Sequence, residues 1–166
     1  MPQGATMSRL FHVNAFSHHP FAGNPAVVVL GEARPDAELQ TLAAGAKFLL
    51  ELASEEAVRA LTPDFHALRA LLGRGIMVTA PSSRKEDDFV SRYFAPWVGV
   101  DEDPVTGSNH CALVPFWAER LGKRQLRARQ ISARGGDLRL ELQEGRVLMA
   151  GRALTLWQGE WLLPPA

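Results

Sequence analysis

The sequence predicts an α+β protein, rich in strands, with short helices and one longer helix after Gly107. Three observations predict it. Short β-branched and aliphatic runs recur along the chain, bounded by Gly, Pro, Asn and Asp. Leu138 to Gln143 alternates apolar and polar residues with a period of two. A long, largely apolar stretch follows Thr106-Gly107-Ser108. At 166 residues, 46% hydrophobic and 22% charged, the chain is long enough to bury a core and far from the compositions that stay disordered.

In chain order, Arg9 to Phe16 reads as a strand and the turn formers Ser17 to Pro25 as the loop after it. Ala26 to Leu30, with three consecutive valines, reads as a second strand buried on both faces. Pro35-Asp36 opens a short helical pattern with Leu39, Leu42 and Ala43 on one face, ended near Gly45. Lys47 to Leu52 is an apolar strand. Ser54 then caps a helix with Glu55 and Glu56 in its first turn and Val58 and Leu61 on a common face. Pro63-Asp64 starts another, carrying Phe65, Leu68, Leu71 and Leu72. Ile76 to Ala80 and Phe89 to Phe94 read as strands on either side of a solvated charged loop, Ser82 to Asp88. Glu144-Gly145 turns the alternating strand back into Arg146 to Met149. Leu154 to Trp157 is the last strand, and Pro164-Pro165 a frayed end. Pro115 predicts a kink in the long helix or a later start for it.

Eighteen basic and eighteen acidic residues give a net charge of +0. No global field therefore draws the chain onto nucleic acid or an anionic bilayer. The single cysteine, Cys111, excludes an intramolecular disulfide and a multi-thiolate zinc site, and fits a reducing, cytoplasmic setting. No apolar run reaches the roughly 18 residues of a spanning helix. The first ten residues lack a secretory pattern, and Met7 is an alternative start, with Pro2 to Thr6 as a disordered leader.

The densest cluster of chemically capable residues is Asp101 to Cys111. Thr106, Gly107 and Ser108 sit where a helix begins and leaves its first N–H groups unpaired. Such a terminus attracts anions, glycine permits close approach, and the Thr106 and Ser108 hydroxyls add donors for a carboxylate or phosphate. The helix is apolar around most of its girth, as if surrounded by sheet. Asp103 then lies near a dry core, where its environment decides whether it works as acid, base or orienting group. Local chemistry is equally consistent with Asp103-Pro104 merely starting a turn and Ser108 merely capping the helix. His110 and Cys111 point about 100° apart on a helix, so they read as buried structural residues and not as a catalytic pair. His18 and His19 lack the i, i+4 partner of a helical metal site.

Two stretches resemble the PhzF-like family of phenazine-biosynthesis proteins, within the diaminopimelate-epimerase-like fold. One runs from Phe11-His12-Val13-Asn14-Ala15-Phe16 through Gly23-Asn24-Pro25 to Val28. The other runs from about Leu49 to Gly159. It includes Arg92-Tyr93-Phe94-Ala95-Pro96, Glu102-Asp103-Pro104-Val105-Thr106-Gly107-Ser108, Gln130 to Gly136, Arg146-Val147 and Gly151. The resemblance implies two lobes, each a sheet rolled around a central helix, with substrate between them. Residues 1–46 would be a remnant of the first lobe, and residues 47–166 the second, its C-terminal strands returning to the first. Asp103 inherits an active-site role, Gly107 and Ser108 line the pocket, and Gly23 and Asn24 match the turn on the cleft side of the first lobe. Asn109 stands where the family usually has alanine, which narrows the pocket.

The family's Ser-Glu-Thr and Cys-Gly-His-Ala motifs have no counterpart: Ala44-Gly45-Ala46 leads directly into Lys47-Phe48-Leu49-Leu50, which resembles the beginning of the second lobe. Thr106 stands where two-cysteine epimerases of the fold carry a thiol. The resemblance therefore implies an isomerase or epimerase relative performing cofactor-independent proton transfer, with no metal, on a small anionic metabolite, and with weak or absent turnover. The second reading is a non-catalytic ligand-binding or oligomerisation module. The strands deprived of first-lobe packing imply a homodimer in which residues 8–44 and the C-terminal strands cover one another.

Overall fold

The computed structural model of the chain describes residues 7–19, 21–30 and 47–162. The expected helix near Leu39, the leader before Met7, the frayed Pro164-Pro165 end and the burial of the three valines lie outside the described residues and side chains. The period-two segments form two sheets. In the smaller, β1 (Met7–Ala15) is the middle strand, antiparallel both to β2 (Asn24–Leu30) and to β10 (Ala153–Leu162). The last strand is longer than the Leu154 to Trp157 run because pairing with β1 carries it from Ala153 to Leu162.

The larger sheet has seven strands: β3 (Lys47–Glu51), β4 (Gly75–Pro81), β5 (Phe89–Ala95), β6 (Val100–Glu102), β7 (Gln125–Gln130), β8 (Gly136–Gln143) and β9 (Arg146–Ala150). They lie in the order β3-β4-β5-β7-β8-β9, with β6 also against β5. Neither β6 nor β7 was expected. β7 does alternate, but its inward residues are Leu126, Ala128 and Gln130, a small residue and a polar one that weaken the apolar signal.

Side chains of β4 and β5 alternate between two cores. Met77, Phe89, Tyr93 and Ala95 join Leu113, Val114 and Trp117 of α3 (His110–Leu121). Val78, Ala80, Val90 and Phe94 join Val58 of α1 (Glu55–Ala60), with Phe65 of α2 (Phe65–Arg69) beside them. The sheet is thus covered on both faces, which explains strands with few exposed positions. Ser54 Oγ accepts from Ala57 N–H and Asp64 Oδ1 from Ala67 N–H, so both short helices begin at their sequence caps. The second is shorter than its apolar pattern: Leu71 and Leu72 are 62% and 95% exposed, and no packing holds another turn.

Two expectations for the central helix are corrected. It is buried through His110, Leu113, Val114, Trp117 and Ala118, while Ala112 and Pro115 are exposed; β7, β8 and β9, with side chains of β4 and β5, pack against its buried face. Cys111 is exposed because it lies one residue, and so about 100°, from the buried His110. Pro115 stays within the helix, whose α-turns begin only at His110, after a 3-10 turn at Gly107–Asn109.

Candidate functional site

The site follows from how one strand edge is shared. β7 pairs with Phe89 to Ser91 of β5, while β6 pairs with Phe94 and Ala95 on the rest of that strand. The chain leaving β6, Asp103 to Thr106, therefore drops into the fork between β6 and β7. Asp103 N–H donates to Tyr93 O at 3.0 Å, and Ile131 N–H to Ser91 O at 2.8 Å, one on each side of the fork.

Gln130, at the end of β7 and 1% exposed, fills the fork. Its Oε1 accepts from Thr106 N–H at 2.9 Å, and its Nε2 donates to Asp103 O at 2.7 Å and to Thr106 Oγ1 at 3.4 Å. Ser132 Oγ donates to Pro104 O at 2.7 Å. Gln130 at the end of β7 and Ser132 just beyond it thus fix the peptide groups of the acidic loop. Thr106 Oγ1 in turn donates to Asp103 Oδ2 at 2.5 Å, which orients the carboxylate.

The sequence-predicted residues behave differently from one another. Asp103 is half-buried, with one carboxylate oxygen held by Thr106. Thr106 has both its N–H and its hydroxyl engaged inside the protein, so it acts as a positioning group for the loop. The Asn109 N–H donates to Thr106 O, and the His110 N–H to Gly107 O and Ser108 O. The N–H groups of Gly107 and Ser108 have no acceptor among the described residues, and the Ser108 side chain is exposed. A Cβ on Gly107 would meet only the Phe16 ring, at 3.6 Å.

Gly23 and Asn24 reach the same loop. Asn24 Nδ2 donates to Val105 O at 3.3 Å, Gly23 N–H to Gly135 O at 2.9 Å, and Arg134 Nε to Gly23 O at 2.9 Å. Gly23 has φ +74°, and a Cβ there would lie 2.2 Å from Ala15 O, so both backbone and space require glycine.

Phe16 carries no signal in the sequence and proves to be the wedge between the sheets. It has φ 63°, a left-handed conformation costly for an aromatic residue. Its carbonyl accepts from Asp137 N–H at 3.1 Å. Cβ atoms built on Gly136 and Gly151 would lie 3.0 Å from its carbonyl oxygen and 2.5 Å from its ring, so those glycines make room for it.

Around the helix start lie Lys47 and Tyr93, which sequence reasoning did not place at the site, and His110 and Asn109, which it did consider. Lys47 Nζ donates to Asn109 Oδ1 at 3.0 Å and stands 5.1 Å from the centre of the Tyr93 ring. Burial and the neighbouring Arg74 charge lower the Lys47 pKa, against smaller upward effects from Cys111 and Asp103. Burial raises that of Tyr93, with Arg74 opposing and Asp103 assisting. His110, fully buried, turns Nδ1 to Thr106 O at 3.0 Å; a carbonyl only accepts, so Nδ1 carries the proton. Its Nε2 has no partner among the described residues, and burial lowers its pKa. Asn109 Nδ2 is likewise buried without a partner.

The better-formed cavities lie elsewhere. One of about 380 Å³ is bordered by Phe16, Asp87, Arg127, Arg139 and Arg152, and none of Asp103 to Asn109 lines it. Among the described residues no group of three or more His, Cys, Asp or Glu is placed to hold a metal ion, and no helix is long and apolar enough to cross a membrane.

A mixed sheet packed on one helix, with an acidic loop feeding the helix start, defines an α+β protein of the diaminopimelate-epimerase-like class. The chain belongs to the PhzC-PhzF family of phenazine biosynthesis-like proteins, which matches residues 44–159. It is 58% identical over 113 residues to a protein of Pseudomonas aeruginosa named as an uncharacterised isomerase, covering 68% of this chain and 42% of that one. It is 48% identical over 116 residues to a like-named isomerase of Halalkalibacterium halodurans, covering 70% of this chain and 44% of that one. The chain thus spans less than half the length of these curated relatives. Among solved structures, a PhzF-family protein of Enterococcus faecalis superposes with a TM-score of 0.78 and 26% identity, covering 95% of this chain and 100% of that one. A putative PhzC/PhzF protein of Clostridium difficile gives 0.75, at 23% identity, covering 92% and 98%.

Proposed function

We propose that this protein is an isomerase-type relative that binds a small carboxylate metabolite at the Gly107 and Ser108 amides, beside Asp103. The observation that carries this reading is the pair of helix-start N–H groups that have no acceptor among the described residues, next to a carboxylate oriented by Thr106 at 2.5 Å. The site's chemistry is proton transfer without a cofactor. The free oxygen of Asp103 takes a proton from the carbon next to the ligand carboxylate, the amides stabilise the enolate-like charge, and the proton returns to a different carbon or face. A single positioned base contributes about 10²–10⁴-fold. Because the family's Glu and His motifs have no counterpart here, turnover is weak.

Titration calorimetry with small carboxylic acids tests the binding claim. Saturable heat that weakens several-fold in Ser108→Ala, which loses a hydroxyl donor, and strengthens in Asp103→Asn, which loses a like charge beside the ligand, supports it, and absence of heat from every acid removes it. Solvent deuterium entering the acid at the adjacent carbon, lost in Asp103→Asn, supports the chemistry.

A second reading, a non-catalytic binding or oligomerisation module, is favoured by the internal engagement of both Thr106 donors and by the Phe16 ring beside Gly107. Binding without deuterium exchange selects it. In either reading we take the smaller sheet as the first-lobe remnant and the larger as the second lobe. Leu148 and Met149 of β9 and Leu156 and Trp157 of β10 are all at least 39% exposed, which supports a homodimer; a monomer by sedimentation at micromolar concentration counts against it.

A further inference from the structure

The cavity of about 380 Å³ beside Phe16 lies away from the helix start and is lined by Arg127, Arg139 and Arg152. None of these three guanidinium groups has a hydrogen bond or an ion pair among the described residues. Acidic side chains border the same cavity, but other cations engage them. Arg84 Nε stands 3.7 Å from Glu86 and 3.6 Å from Asp87, and Arg129 Nε stands 3.7 Å from Asp137. Glu141, diagonal to Arg127 across the ladder, accepts from Gln143 Nε2 at 3.1 Å instead.

Strand register concentrates the unpaired charge. Arg127 of β7 stands directly opposite Arg139 of β8, and Arg139 opposite Ala150 of β9, so one row across three strands reads Arg, Arg, Ala. Like charges directly opposite each other weaken a sheet. The neighbouring rung shows the ordinary solution, with Arg129 opposite Asp137. Arg152 follows two residues after Ala150. The small residues Ala150 and Gly151 leave room beside the row, and Phe16, with its left-handed φ of 63°, walls it. Backbone held in such a conformation clusters at ligand sites.

We propose that Arg127, Arg139 and Arg152 form a binding site for a small phosphate ester, separate from the carboxylate site at Gly107 and Ser108. A carboxylate offers two oxygens and one charge. A phosphate monoester offers three terminal oxygens and nearly two charges, enough to take forked hydrogen bonds from several guanidinium groups at once. The volume suits a small organic molecule, whose carbon part lies against Phe16 and Ala150. The bound phosphate offsets the repulsion between Arg127 and Arg139, so the ligand stabilises a row that weakens the sheet when empty.

The test compares phenyl phosphate with benzoate, which share a ring and differ in the anion, by titration calorimetry and thermal melts of the full chain. The parent binds phenyl phosphate one to one, at least tenfold more tightly than benzoate, and its Tm rises with the ligand. Arg127→Gln and Arg139→Gln each weaken phenyl phosphate at least tenfold, while their ligand-free Tm does not fall below that of the parent. Both side chains are exposed, and should one variant not fold, the other decides. Arg146→Gln removes an exposed arginine of β9 that does not line the cavity, and it leaves the affinity within twofold. Parent protein that does not bind phenyl phosphate or does not prefer it to benzoate overturns the site, as do arginine variants that bind like the parent. An equal loss in Arg146→Gln, which marks general charge attraction, overturns it too. A loss confined to Ser108→Ala places the anion at the helix start, which overturns this site and leaves the carboxylate reading standing.

Discussion

Gln130 makes a sharp test of how the acidic loop is held. Substitution by leucine preserves most of the side-chain volume and removes every hydrogen bond that ties β7 to the loop. Two groups are then left without partners in a dry fork, the Thr106 N–H and the Asp103 carbonyl, both on the loop that presents the carboxylate. Each buried unsatisfied group costs about 1–3 kcal/mol, so Gln130→Leu is expected to lose about 2–5 kcal/mol. That is a large part of the roughly 5–15 kcal/mol that keeps a domain folded. For a chain of this size it corresponds to a fall in Tm of roughly 5–15 °C, read by urea titration and calorimetry.

Gln130→Glu separates the two arms of the amide. It keeps an acceptor for Thr106 N–H but sets a second carboxylate oxygen against the Asp103 carbonyl, where an N–H now donates at 2.7 Å. Its deficit relative to the parent is expected to shrink as pH falls through the carboxyl range, because protonated glutamic acid donates where the ion repels. A Gln130→Leu variant within 0.5 kcal/mol of the parent would refute this account of the loop.

Gly136→Ala places a Cβ 2.5 Å from Val105 Cγ2 and 3.0 Å from Phe16 O; the expected loss is about 1–3 kcal/mol in urea titration, through displacement of the wedge between the sheets. Arg92 makes a two-pronged pair with Glu102 at 2.7 and 3.0 Å, and donates to Val58 O and Leu61 O at the end of α1. Arg92→Met is therefore expected to lose about 3–5 kcal/mol, by stranding Glu102 and those carbonyls. Acid stability follows from Glu55, which is 4% exposed. Burial pushes its pKa up, but the Ser83 N–H, Arg59 and the Ser83 hydroxyl more than offset this and hold it at about 2, against 4.5 unperturbed. Its contribution, on the order of 3 kcal/mol, is complete above pH 4.5 and drains away as pH falls toward 2. His110, whose pKa burial lowers from 6.5, adds a loss that begins below pH 6.5, since the unfolded chain takes up that proton first. Glu55→Gln should flatten the stability curve below pH 4.5, and an unchanged curve would contradict the assignment.

The sequence by itself determined whatever depends on neighbours along the chain. Ser54 and Asp64 cap helices where their side chains reach an N–H three residues on. Gly145, with φ 68°, turns β8 into β9, and the alternation of Leu138 and Leu140 with charged residues put one face of β8 inside. The helix start at Gly107 and its acidic neighbour Asp103 were legible for the same reason, as was the family. Tertiary structure alone decided what Thr106 is for, where Phe16 goes, and which side chains share the site. Gln130 stands 24 residues from Thr106 and Lys47 stands 62 from Asn109, and the sharing of the β5 edge by β6 and β7 builds the fork that holds the acidic loop. No local propensity encodes such meetings. They depend on strand register, which is settled by the packing of both sheet faces at once.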